Sequence, residues 1–174
     1  EGVAVKCIVV DGANRKWIGT TNNGLYLVAP DGTEILEHFT AENSPLLSDC
    51  ILSLAISPTN GLLMIGTDLG LVSYRADATP PAESLSESNI KVFPNPVRPE
   101  YEGKIRITGF TKDSDVKITT TTGLLIAQGT SLGGTFVWDG CDSQGKRVAT
   151  GIYHIIGSDA EGKKGVVAKV LVVK

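Results

Sequence analysis

The sequence predicts an all-β protein in two parts, and three observations carry that expectation. Valine and threonine are abundant, and twenty glycines with eight prolines favour strands and turns over helices. A segment of the first half repeats itself at an offset of 47 residues. The second half carries a series of short apolar runs separated by turn residues at steps of roughly 8–12 residues, the rhythm of a β-sandwich.

The repeat organises the first half. Val5–Thr20 aligns with Leu52–Thr67 over sixteen positions without a gap, and Gly24-Leu25 then matches Gly70-Leu71 after one deletion. Each copy reads as an alternating strand, a turn, a short strand ending Ile-Gly-Thr, a second turn with glycine, and a third strand over Leu25–Val28 or Leu71–Tyr74. Glu34–Thr40 adds a fourth strand to the first copy only. A period of about 45 residues with up to four strands per copy is the signature of propeller blades. Because fewer than two blades cannot close a ring of at least about four, residues 1–78 are expected to be incomplete blades of a longer propeller. Trp17, whose repeat equivalent is Met64, is expected in the blade core rather than on a sugar.

Residues 79–88, with Pro80-Pro81 and little to bury, read as a semi-extended connector. Residues 89–174 then hold strands over Ile90–Phe93, Lys104–Thr108, Asp115–Thr120, Leu124–Gln128, Phe136–Trp138, Gly151–Ile156 and Val166–Val173. Their number and spacing predict an immunoglobulin-like β-sandwich. Phe93 is expected as an apolar plug, with Pro94, Pro96 and Pro99 keeping the entry strand at an edge. Trp138 is expected in the core, Asp139-Gly140 and Gln144-Gly145 at turns, and Gly151 where backbones approach closely. The last strand is apolar on both faces, so it should be central or covered by something else.

Charge and chemistry exclude more than they propose. With 16 Lys+Arg against 19 Asp+Glu the net charge is −3, which offers no footprint for nucleic acid. No run approaches the roughly 18 apolar residues of a membrane helix, so no transmembrane segment is expected. Cys7, Cys50 and Cys141 have neither metal-site nor redox-motif spacing, and an odd count leaves a free thiol. Cys7 lies in an apolar alternation and reads as a small core residue, with a Cys7–Cys50 bridge left open. His38 and His154 have no partner spaced as a nucleophile or metal ligand, and Glu34, Glu37 and Glu42 fit a solvated edge strand better than a glycosidase pair. No catalytic residue and no cofactor is expected. The one metal candidate is calcium at Asp139 and Asp142, against a plain Asx turn, because a high-affinity calcium loop carries more carboxylates.

Two resemblances refine this reading. Trp17–Leu25 and Met64–Leu71 resemble the repeats of Bacteroidetes regulator-type propellers, with Met64 departing from the usual Trp. Val92–Pro99, Phe136–Tyr153 and Lys169–Lys174 resemble the C-terminal sorting domains of the type IX secretion system and the FlgD-type immunoglobulin-like domain. Together they resemble a surface component of the type IX attachment complex. That resemblance implies a non-catalytic protein, carried across the outer membrane to the cell surface, of which this chain would be the C-terminal end. It implies the sortase and outer-membrane shuttle proteins, and an anionic lipopolysaccharide, as partners. The residues expected to be read by partners are Pro94, Asn95, Pro96 and the strand Lys169, Val170, Leu171, Val172, Val173 and Lys174. A secreted cargo with an adhesin or glycan-binding propeller is the alternative, and a periplasmic sensor is a weaker one.

Overall fold

The computed structural model describes residues 2–162 and 165–173. Among them there are fourteen strands and no helix, so the chain is all-β. It divides into two compact units, one running to Pro80 and the other from Pro81.

The first unit holds β1 (Val5–Val10), β2 (Lys16–Thr20), β3 (Leu25–Val28) and β4 (Ile35–Phe39) in one antiparallel sheet, in chain order. A second sheet follows with β5 (Ile51–Ile56), β6 (Leu62–Thr67) and β7 (Gly70–Arg75). The strand registers correct the ungapped repeat by one residue. Cys7 pairs with Gly19, but it is Ser53 that pairs with Gly66, so the β5–β6 turn is one residue longer than the β1–β2 turn.

The two sheets pack in the same sense rather than as mirror images. Trp17, Leu25, Leu27 and Phe39 fill one side of the interface, while Leu63, Ile65 and Val72 fill the other. Trp17 is 1% exposed, whereas its repeat equivalent Met64 is only half-buried and belongs to the opposite set of the alternation. Equivalent residues therefore occupy equivalent faces, and the far faces of both sheets keep Ile8, Val10, Leu52 and Leu71 exposed. The indole of Trp17 lies against Phe39 at 6.0 Å and Tyr74 at 5.6 Å between ring centres. Its N–H has no acceptor among the described residues, a cost of about 1–3 kcal/mol that apolar packing outweighs.

One polar staple closes this unit. Arg15 Nε donates to Asp11 Oδ2 at 2.8 Å, and the same guanidinium reaches Asp77 beyond β7. Asp11 Oδ1 also accepts the N–H groups of Ala13 and Arg15, which shapes the β1–β2 turn. Burial pulls the Arg15 pKa down, but the two carboxylates outweigh it and hold the guanidinium above its ordinary value. The turn and the chain leaving β7 are further joined where Gly12 meets the Thr79 backbone. A Cβ on Gly12 would lie 2.0 Å from the Thr79 carbonyl carbon, so only glycine fits. The 79–88 segment is accordingly no bare connector. Thr79 is buried, Ala82 donates its N–H to the Phe110 carbonyl at 2.8 Å, and Leu85 belongs to the core of the second unit.

Among the described residues, the second unit has seven strands in two sheets. β8 (Lys91–Phe93), β9 (Ile105–Thr108) and β12 (Thr135–Trp138) form one in the order β12-β9-β8. β10 (Asp115–Thr120), β11 (Leu125–Thr130), β13 (Gly151–Ser158) and β14 (Gly165–Val172) form the other in the order β11-β10-β13-β14. Alternation sends Ile105, Ile107, Val116, Ile118, Tyr153, Ile155, Val170 and Val172 into one core around Trp138, which is 2% exposed. The Trp138 indole N–H donates to the Cys141 carbonyl at 2.8 Å. Burial pushes the Tyr153 hydroxyl up, and that hydroxyl donates to the Ala149 carbonyl.

Two expectations fail here. Phe93 is not a plug but is 71% exposed, because alternation along the edge strand β8 turns its neighbour Val92 inward instead. Gly151 marks no close approach, since a Cβ there would meet Tyr153 at an ordinary 3.8 Å. Packing demands glycine instead at Gly109, where a Cβ would lie 2.1 Å from the Asn89 carbonyl oxygen, and at Gly157, where it would lie 2.5 Å from the Phe110 ring.

Replacing Arg15 by Met leaves the Asp11 carboxylate buried without its cation, and urea unfolding should show the first unit weakened by about 3–5 kcal/mol. Trp138→Ala should weaken the second unit by about 3–5 kcal/mol, seen as an early loss of amide protection confined to residues after Pro81.

Candidate functional site

Most of the residues expected to be read by partners meet at one place, the outer edge of β14. This strand ends its sheet, so one side of its backbone has no strand beside it. The segment after β8 crosses that side. Val97 donates its N–H to the Leu171 carbonyl at 2.8 Å and accepts the Val173 N–H at 2.8 Å, forming a parallel bridge with Val172. The Val97 side chain is completely buried and anchors the crossing. Two residues earlier, the Asn95 side chain donates through Nδ2 to the Lys169 carbonyl at 3.1 Å and accepts the Leu171 N–H through Oδ1 at 3.1 Å. Pro94 is half-buried and Pro96 exposed on either side of it.

Alternation divides the expected strand residues by role. Val170 and Val172 are buried in the core and present no side chain to a partner. Lys169 and Leu171 belong to the outer face, Val173 is half-buried, and Lys174 lies outside the described residues. β14 is thus neither central nor fully covered. Its outer face joins that of β13, where Ile152 stands opposite Leu171, His154 opposite Lys169 and Ile156 opposite Val167. All four apolar residues of these pairs are exposed, Val167 at 45% and Leu171 at 40%. Lys117, opposite Ile156 on β10, adds a second cation beside this apolar strip.

The strip on β13 and the anchoring role of Val97 were not singled out from the sequence. The available signal for the strip was the cross-strand match of Ile152–Ile156 with Val167–Leu171, which needs the register to be seen. Asp11, Arg15 and Asp77 were likewise passed over, although a charged i, i+4 pair inside an apolar repeat marks a buried turn.

The calcium candidates are turn residues. Asp139 Oδ1 accepts the Cys141 N–H at 2.8 Å, and Asp142 Oδ1 accepts the N–H groups of Gln144 and Lys146 at 2.9 and 3.0 Å. No cluster of three metal-ligating side chains occurs among the described residues. All three cysteines are free thiols. Burial, reinforced by the Asp139 carboxylate, pushes the Cys141 thiol above its ordinary pKa. His38 stacks on Tyr26 at 4.0 Å and pairs through Nε2 with the Asn23 carbonyl, which occupies it structurally.

Among solved structures, this chain is similar to PorZ of Porphyromonas gingivalis, described as an essential bacterial surface component of the type IX secretion system. The two share 43% identity over 99% of this chain, with a TM-score of 0.62. The chain is PorZ-like. It spans 23% of the length of PorZ. A dimeric latent PorU from the same organism matches at 19% identity over 68% of this chain and 13% of its own, with a TM-score of 0.37. No family model matches the sequence, and no curated protein does.

If Asp142 serves its turn alone, Asp142→Asn should melt within a degree or two of the PorZ-like parent, while Asp142→Ala should lose about 1 kcal/mol with the hydrogen bonds. Calcium should move neither melting curve. A rise of several degrees on adding calcium, abolished by Asp142→Asn, would establish a cation site instead.

Proposed function

We propose that the chain is part of a non-catalytic surface component of the type IX secretion system, and that its second unit is the module through which partners of that system recognise it. The observation that carries this reading is the 43% identity with PorZ along nearly the whole chain. The unit's strand order and buried Trp138 fit an immunoglobulin-like sandwich, the fold expected of such a module. The outer face of β13 and β14 supplies the surface. An apolar strip of Ile152, Ile156, Val167 and Leu171, set beside Lys169 and Lys117, has the composition of a docking patch. The partners in this reading are the sortase and outer-membrane shuttle proteins of the attachment complex, with an anionic lipopolysaccharide as a further ligand. The protein then resides at the cell surface.

The first unit is proposed as two blades of a propeller. Same-sense stacking, with Trp17 turned toward the second sheet and Met64 turned away from the first, is what a ring of blades requires, and the apolar far faces fit further sheets on either side.

The test uses the whole parent protein in its own cell. Val167→Asp combined with Leu171→Asp places two charges on the outer face without touching the core. Surface display of the protein and release of other type IX cargo should fall at least several-fold while the purified variant melts normally. Undiminished display with normal cargo release would overturn the recognition reading.

A further inference from the structure

The way Asn95 meets β14 has the form of a missing strand. In a parallel pairing, each partner residue accepts an N–H from the residue after its opposite number and donates its own N–H to the carbonyl of the residue before. Val97 does this with its backbone, opposite Val172. The Asn95 side-chain amide repeats the pattern one rung earlier, opposite Val170, taking the Leu171 N–H and giving to the Lys169 carbonyl. A primary amide is chemically a peptide group, so it satisfies this rung with the same donor and acceptor a strand would bring. The next rung, formed by the Lys169 N–H and the Val167 carbonyl, lies on the side of β14 that no strand occupies.

We propose that the Asn95 amide is a placeholder for an incoming extended segment, which adds to β14 beside Val167 and displaces Asn95 as it extends toward Leu171. This deepens the recognition reading by naming the kind of partner, an extended strand that binds through its backbone. The exchange conserves hydrogen bonds at the β14 edge, because each one lost by Asn95 is regained by the arriving peptide group. Asn95 is exposed, so its freed amide passes directly into water. Val97, completely buried, does not yield, and it sets the end of the binding register. The placeholder also protects the edge: an unsatisfied strand edge invites pairing with any other edge, and a side-chain amide blunts it without closing it for good.

The test compares the whole chain with its Asn95→Ala variant. The probe is a labelled, terminally blocked peptide, Gly-Val-Val-Ala-Lys-Val-Leu-Val-Val, copying residues 165–173, with a control in which its lysine is proline. Removing two competing hydrogen bonds should tighten binding of the probe about tenfold and leave the control unbound by both proteins. Amide exchange should show the Leu171 N–H losing protection in the free variant and regaining it with the probe, while Val170, paired to β13, stays protected throughout. Equal affinity of the two proteins for the probe, with Leu171 deprotected in the variant, would overturn the placeholder and leave the recognition reading to its own display test. An unchanged Leu171 amide would overturn it as well.

Discussion

The second unit's outer surface depends on one residue, Val97. Its side chain is sealed in the core while its peptide group makes two 2.8 Å hydrogen bonds to the free side of β14. Burial fixes where the backbone passes, and the backbone then fixes how much of the edge stays open. From that anchor the geometry runs outward. Asn95 is carried to the next rung, Pro96 is left exposed between the two, and the stretch around Val167 has no strand beside it. A valine with no chemistry of its own thus decides which backbone groups of β14 the segment after β8 covers.

The first unit is held by a different balance. Its two sheets meet through an apolar interface centred on Trp17, but the turn that starts the unit and the chain that leaves it are joined by charge. Arg15 sits between Asp11 and Asp77, and the cost of burying it is met by hydrogen bonds on both sides. The close contact of Gly12 with Thr79 works alongside it, bringing the β1–β2 turn against the chain that leaves β7. These features bind sequence-distant ends of a unit whose sheets leave apolar faces exposed on both outer sides.

Much of this was legible in the residues. Strand identity follows from alternation and turn chemistry, so β2, β3, β9, β10 and β12 fall within a residue or two of their expected bounds, and Trp138 is in the core. The expected site residues Asn95, Lys169 and Leu171 do meet, although seventy-odd residues separate them. What failed were statements that need a third dimension. Phe93 looked like core because it is large and apolar, yet its strand pairs on one side only and its phase is set by Val92. The repeat appeared gapless because turns of different length can be aligned by letters, whereas hydrogen-bond register counts residues.

Side-chain period and backbone preference, which act within a few residues, suffice to make the chain all-β, to place its strands and to set which faces are apolar. The sequence also carried the likeness to PorZ. Tertiary structure alone decided that β14 is an edge rather than a centre, that Val170 and Val172 point inward while Val167 and Leu171 remain outside, and that Asn95 closes a rung of the ladder. The physical reason is that an edge is a property of what lies beside a strand. No local pattern encodes a neighbour that the chain brings back from far along its length.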